Sequence, residues 1–105
     1  MKSYDIFIVY ISWRSGGKKR PVLVYALSNG LVKIYPITTQ YENKSDDVKA
    51  RFFKINDWEQ SGLDKQSYID TGTRFKRPLS FFEHIEPVGS LTDNDIDRLI
   101  QFSMK

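Results

Sequence analysis

Arg20-Pro21-Val22-Leu23-Val24-Tyr25-Ala26-Leu27-Ser28-Asn29-Gly30-Leu31-Val32-Lys33-Ile34-Tyr35-Pro36-Ile37-Thr38-Thr39-Gln40 reads as one β-hairpin with polar groups at its open end. Pro21 cannot donate to a strand ladder and suits a strand start, so the first strand opens at Arg20. Val22 to Leu27 is almost wholly apolar, the mark of a central strand covered on both faces. Ser28-Asn29-Gly30 supplies the positive φ angles of a tight turn, and Leu31 to Ile37 returns antiparallel. Antiparallel pairing brings the start of one strand to the end of its neighbour. Arg20 and Thr38 therefore meet at one sheet edge, where a guanidinium fork and a hydroxyl suit a phosphodiester.

Working outward, Tyr4 to Ile11 is rich in aromatic and β-branched residues and reads as a strand. Trp13 to Lys19, containing Ser15-Gly16-Gly17, reads as a flexible loop. Gln40 to Lys49 is polar and charged and reads as a mobile loop. Arg51 to Ile55 is a short strand, and Asn56 caps a brief helix through Gln60 that Gly62 ends. Ser67 to Asp70 and Thr73 to Lys76 are two further strands hinged at Gly72, with Pro78 ending the second. Phe81 to Ile85 fits neither period. Thr92 and Asp95 form a weak capping box, and Ile96, Leu99, Ile100 and Met104 make one apolar stripe on a C-terminal helix. The expected fold is mainly β with α: a small, curved antiparallel sheet, an SH3-like barrel, with a short helix and a C-terminal helix, in one domain over residues 1–105.

The 105 residues include no cysteine and one histidine, His84, which excludes disulfides, thiolate metal sites and two-histidine ribonuclease chemistry. A reaction free of metal and cofactor is expected. The apolar runs fall far short of the roughly 20 residues that span a bilayer, and no charged leader opens the chain, so a cytoplasmic location away from membranes is expected. Net charge is +3, unevenly spread: residues 1–40 carry +5, concentrated between Arg14 and Arg20, and the rest carries −2. Such a basic pole attracts a polyanion or an acidic protein segment, and it equally serves as a solvated loop.

Gly16-Gly17-Lys18-Lys19-Arg20-Pro21-Val22-Leu23-Val24 followed by Pro36-Ile37-Thr38-Thr39-Gln40 resembles the MazF/PemK/Kid family of toxins from type II toxin–antitoxin systems. Tyr4-Asp5-Ile6-Phe7-Ile8-Val9 is similar to the first strand of that family, and Val88-Gly89-Ser90-Leu91-Thr92 with Asp95 and Leu99 resembles its approach to the last helix. The resemblance covers nearly the whole chain, with two departures: Tyr4 stands where many relatives have glycine, and the loop from Ser12 to Lys19 is short. It implies the MazF/CcdB/Kid-like fold and a ribosome-independent, metal-independent endoribonuclease, an mRNA interferase that cuts single-stranded RNA at short motifs. Cleavage would leave a 2′,3′-cyclic phosphate and a 5′-hydroxyl. The implied partners are a second copy of the chain and an antitoxin whose acidic segment covers the basic groove.

By that resemblance Arg20 and Thr38 are the catalytic pair. A guanidinium is effectively never deprotonated in a protein, so Arg20 stabilises charge and Thr38 donates or relays a hydrogen bond. Lys18, Lys19, Arg14, Thr39, Gln40, Arg74 and Trp13 are candidate substrate contacts, Arg74 through a second phosphate and Trp13 through base stacking. Plainer roles stand beside these: Arg20 paired with a carboxylate, Thr38 capping a turn, Gln40 solvated, His84 structural. The same barrel also admits a non-catalytic gyrase-poison-like protein acting through its C-terminal helix, or an RNA-binding module. Gly16-Gly17-Lys18-Lys19 is no phosphate-binding loop, because its glycine spacing is wrong and a strand follows.

Overall fold

The computed structural model describes residues 1–104, with Trp13 described in its backbone alone. Strand β1 (Asp5–Trp13) is followed by β2 (Gly16–Ser28) and β3 (Leu31–Thr38). One helical turn, α1 (Asp46–Lys49), precedes β4 (Phe52–Lys54), β5 (Tyr68–Asp70) and β6 (Phe75–Pro78). A 3₁₀ turn (Leu79–Phe82), the short β7 (Gly89–Ser90) and helix α2 (Asp93–Ser103) complete the order. The seven strands form one antiparallel sheet in the order β4-β5-β3-β2-β1-β7, with β6 also paired to β3. β3 joins β6 through Leu31 to Ile34 and β5 through Ile37 and Thr38, so the sheet curls into a half-barrel.

The central hairpin forms in the expected register, from Val22 opposite Pro36 to Ser28 opposite Leu31. Asn29 and Gly30 take φ of 53° and 77°, the left-handed pair that such a turn needs. Between Val24 and Ala26 the register shifts, so Tyr25 is a bulge that bends the strand. Apolar side chains fill both faces of this sheet. Ile6, Leu23, Tyr35, Ile37, Phe53, Ile55 and Ile69 pack with Leu91 and Leu99 beneath α2. Phe7, Val9, Ile11, Val22, Val24, Val32 and Ile34 pack with Phe82 on the opposite face. Two-sided burial explains why the sequence of β2 does not alternate.

Several sequence expectations need correction. The segment Trp13 to Lys19 is no flexible loop: β1 and β2 pair up to Trp13 opposite Gly16, leaving only Arg14-Ser15 as the turn. Gly17 permits this pairing, since a Cβ there would lie 2.7 Å from the Tyr10 hydroxyl and 2.8 Å from the Ile11 carbonyl oxygen. Gln40 to Lys49 is likewise structured. The Ser45 hydroxyl accepts the Val48 N–H at the start of α1, and Tyr41 stacks on Tyr68. The helix expected at Asn56 is a run of turns instead. The segment is held from outside: the Asp95 carboxylate on α2 accepts the N–H groups of Asn56 and Asp57 at 3.2 and 2.7 Å.

Thr73 and Arg74 lie outside β6. Asp70 accepts both the Gly72 N–H and the Thr73 hydroxyl, and that turn delays the strand to Phe75. The unassigned stretch near Phe81 begins inside the 3₁₀ turn, whose Phe82 sits 5.1 Å from Phe7, centroid to centroid. α2 starts as expected, with the Thr92 hydroxyl accepting the Asp95 N–H. Its packed stripe differs: Leu99 is buried with Ile96 and Phe102 against the core, whereas Ile100 and Met104 are exposed. No helix among the described residues is long and apolar enough to cross a membrane.

Candidate functional site

Val22 faces Pro36, and one step of two residues along each strand reaches Arg20 and Thr38 on the same face. There β3 leaves β2 and takes β5 as its partner, Thr38 opposite Tyr68. The divergence opens two cavities of about 170 Å³ each. Lys18, Lys19, Thr39, Gln40 and Ser67 help to line the first. Lys44, Phe52, Asp70, Thr73 and Phe75 help to line the second. Arg20 and Thr38 are the two residues common to both, and they form the sill between a basic chamber and an aromatic one.

The state of each sill residue is informative. The Nε of Arg20 is buried and has no hydrogen-bond partner among the described residues. Leaving a buried donor unmade costs about 1–3 kcal/mol, more for a charged group. No carboxylate relieves it, since the one ion pair among the described residues joins Arg98 to Asp95. The Thr38 hydroxyl accepts the Gln40 N–H at 3.0 Å, which caps the end of β3 and turns the hydroxyl proton away from the backbone, ready to donate. The turn-capping role and a donor role thus coexist in one side chain.

Asp70 is the one carboxylate among the residues lining the two cavities. Its oxygens are oriented by the Gly72 N–H at 2.9 Å and the Thr73 hydroxyl at 2.8 Å, and each keeps a free lone pair. Tyr68 stacks on Tyr41 with centroids 4.3 Å apart and planes at 6°, and the Lys49 ammonium lies 5.0 Å from the Tyr41 ring. Burial first, then Glu42 and Tyr41, push the Tyr68 phenol above its ordinary value, so it serves as a donor and not as a proton acceptor near neutrality.

Arg14 is exposed at the tip of the β1–β2 turn and lines neither cavity. The Trp13 side chain lies outside the described atoms. Arg74 also lines neither cavity; it sits beside Tyr35, whose phenol is pushed up by burial and by Tyr25 and pulled back by that guanidinium. His84 is exposed, at a φ of 69°, and lies away from both chambers. Sequence reasoning missed Lys44, Ser67, Asp70, Thr73 and Phe75. The period of two along Tyr68-Ile69-Asp70 is the signal that could have placed Asp70 beside Thr38, because both flank the buried Ile69 and Ile37.

A curled antiparallel half-barrel sheet with a C-terminal helix is the fold of the MazF toxins. The chain is similar to the solved structure of Mycobacterium tuberculosis toxin MazF-mt6, with a TM-score of 0.65 and 19% sequence identity over 93% of this chain and 90% of that one. No family model and no curated protein matches the sequence. The sequence resemblance is matched at the level of fold.

Proposed function

We propose that the protein is a toxin-type endoribonuclease that cleaves single-stranded RNA by attack of a ribose 2′-hydroxyl on the adjacent phosphorus. The observation that carries this reading is the Arg20 guanidinium on the sill shared by both cavities, beside a Thr38 hydroxyl whose proton is free. An anionic phosphate resting on the sill meets both groups. The guanidinium fork binds two phosphate oxygens and stabilises the charge that grows on them in the pentacoordinate transition state. Thr38 donates to the same group. Asp70 takes the proton of the attacking 2′-hydroxyl, the 2′-oxygen bonds to phosphorus, and the bond to the 5′-oxygen breaks. The leaving oxygen takes a proton from water, and the products are a 2′,3′-cyclic phosphate and a 5′-hydroxyl.

Lys18 and Lys19 in the first chamber hold the backbone on one side of the scissile phosphate. The same positive groove fits an acidic antitoxin segment, which would inhibit by occupying the sill. A homodimer in the cytoplasm belongs to the same reading. Incubation of the purified protein with a long RNA and a chelator tests it. Fragments ending in a cyclic phosphate are expected, and intact RNA would overturn the proposal. Thr38→Val should slow cleavage by about 10- to 100-fold, because the methyl neither donates to phosphate nor caps Gln40. Thr38→Ser should retain most of the rate, as single-turnover assays will show.

A further inference from the structure

Resting on the proposed ribonuclease reading, we infer that Tyr41 is a positioning residue: clamped between the Tyr68 ring and the Lys49 ammonium, it pins the chain that leaves β3 and so holds the Thr38 hydroxyl on the sill. The Tyr41 and Tyr68 rings stack with centroids 4.3 Å apart and planes at 6°. A stack that close fills one face of Tyr41, so the Lys49 ammonium, 5.0 Å from the same centroid, covers the other. Neither face is left open for a base, and the ring therefore serves this segment of the protein instead of the RNA directly.

The clamp matters because little else ties this stretch down. From Thr39 to Asp47, Tyr41 is the one residue that is not exposed. The hydrogen bonds of the stretch are all local: the Gln40 N–H to the Thr38 hydroxyl, the Lys44 N–H to the Tyr41 carbonyl oxygen, and those that build α1 from Ser45 and Asp46. None joins it to another strand among the described residues. A segment of that kind opens locally at little cost unless a side chain anchors it. Here the anchor sits beside the residue it serves, since Tyr68 is the cross-strand partner of Thr38. Gln40 lies between the two, its N–H on the Thr38 hydroxyl and its next neighbour Tyr41. While the clamp is shut, that bond keeps the Thr38 oxygen in one rotamer with its proton turned away from the backbone. When it opens, Gln40 leaves and the hydroxyl turns among its staggered positions. An aromatic pair favours the shut state by a factor of roughly 2 to 13, and a cation over the ring by roughly 2 to 5 more.

A double-mutant cycle tests the link between ring and hydroxyl, with single-turnover rates read at saturating RNA. Tyr41→Ala should lose about 5- to 50-fold in the wild-type background, but less than about 2-fold in Thr38→Val, which has no hydroxyl to place. Tyr41→Phe keeps the stacked ring and should stay within about 2-fold of the wild type. With no RNA present, trypsin should cut after Lys44 faster in Tyr41→Ala than in the wild type by a factor similar to the rate loss, at a melting temperature that barely moves. Equal rate losses in the two backgrounds would overturn the positioning role. So would a Tyr41→Phe as slow as Tyr41→Ala, or tryptic cleavage that Tyr41→Ala leaves unchanged. Should melting curves show Tyr41→Ala unfolded, Tyr41→Leu, which keeps apolar bulk without the stack, takes its place. An absence of RNA cleavage by the wild type would instead bring down the ribonuclease reading and the positioning role with it.

Discussion

Arg20→Ala should reduce RNA cleavage by 10²- to 10³-fold or more while leaving the protein folded at undiminished stability. The kinetic side follows from the value of one preorganised charge-stabilising donor, about 3–4 kcal/mol of barrier. The stability side follows from the orphaned Nε, which the folded protein keeps dry without a partner. Truncation removes that cost along with the catalytic group, so the melting temperature should hold or rise. Arg20→Lys restores charge without the planar fork and should recover only part of the rate. Single-turnover rates and thermal melts on the same samples check both halves. A variant that loses activity and unfolds together would show that Arg20 is there for structure.

The second large effect lies at the other side of the core. Asp95 is fully buried and accepts two backbone N–H groups from the 55–57 segment, while Arg98 donates to it at 2.6 Å. Asp95→Ala leaves those two donors without an acceptor and the Arg98 guanidinium with the Lys54 carbonyl oxygen alone. Removal of one member of such a buried set costs about 3–5 kcal/mol, a large share of the 5–15 kcal/mol that holds an ordinary domain. Arg98→Ala should cost clearly less. Arg98 is 37% exposed, and its loss leaves Asp95 with both backbone donors in place. Urea unfolding with an unchanged slope measures the difference. A near-neutral Asp95→Ala would show that the network adds nothing.

The hairpin and the Arg20–Thr38 meeting point were legible because they rest on short-range chemistry: a proline at a strand start, a glycine turn, and a fixed register between. Compression of the first loop was legible only as a short length. The pairing of Lys18 and Lys19 with Ile11 and Tyr10 overrides their loop-like composition. Asp70 and Phe75 were hidden because two separate strands bring them to the second cavity, and no spacing along the chain encodes that convergence. Asn56 was misjudged for the same reason: the carboxylate that holds its N–H lies 39 residues away.

Tyr4 is the instructive exception. Its departure from the glycine that the resemblance implies was visible in the sequence, and the structure gives it a φ of 73°, a conformation that costs a side chain about 1–2 kcal/mol. Packing of the Tyr4 ring onto the core cluster that also holds Tyr25 and Tyr35 offsets that cost.

The Asp95 clasp closes a loop of 38 residues to Asp57, whereas β1, β2 and β3 pair with their immediate chain neighbours. Chain closure over that distance costs more entropy than zipping a hairpin, so the meander is expected to assemble early and the clasp to close after the barrier. Weakening the clasp should then speed unfolding without slowing refolding, as stopped-flow rates will show. On that order the grip of α2 would set how long a folded molecule persists, and the hairpin that carries the sill how soon one is made.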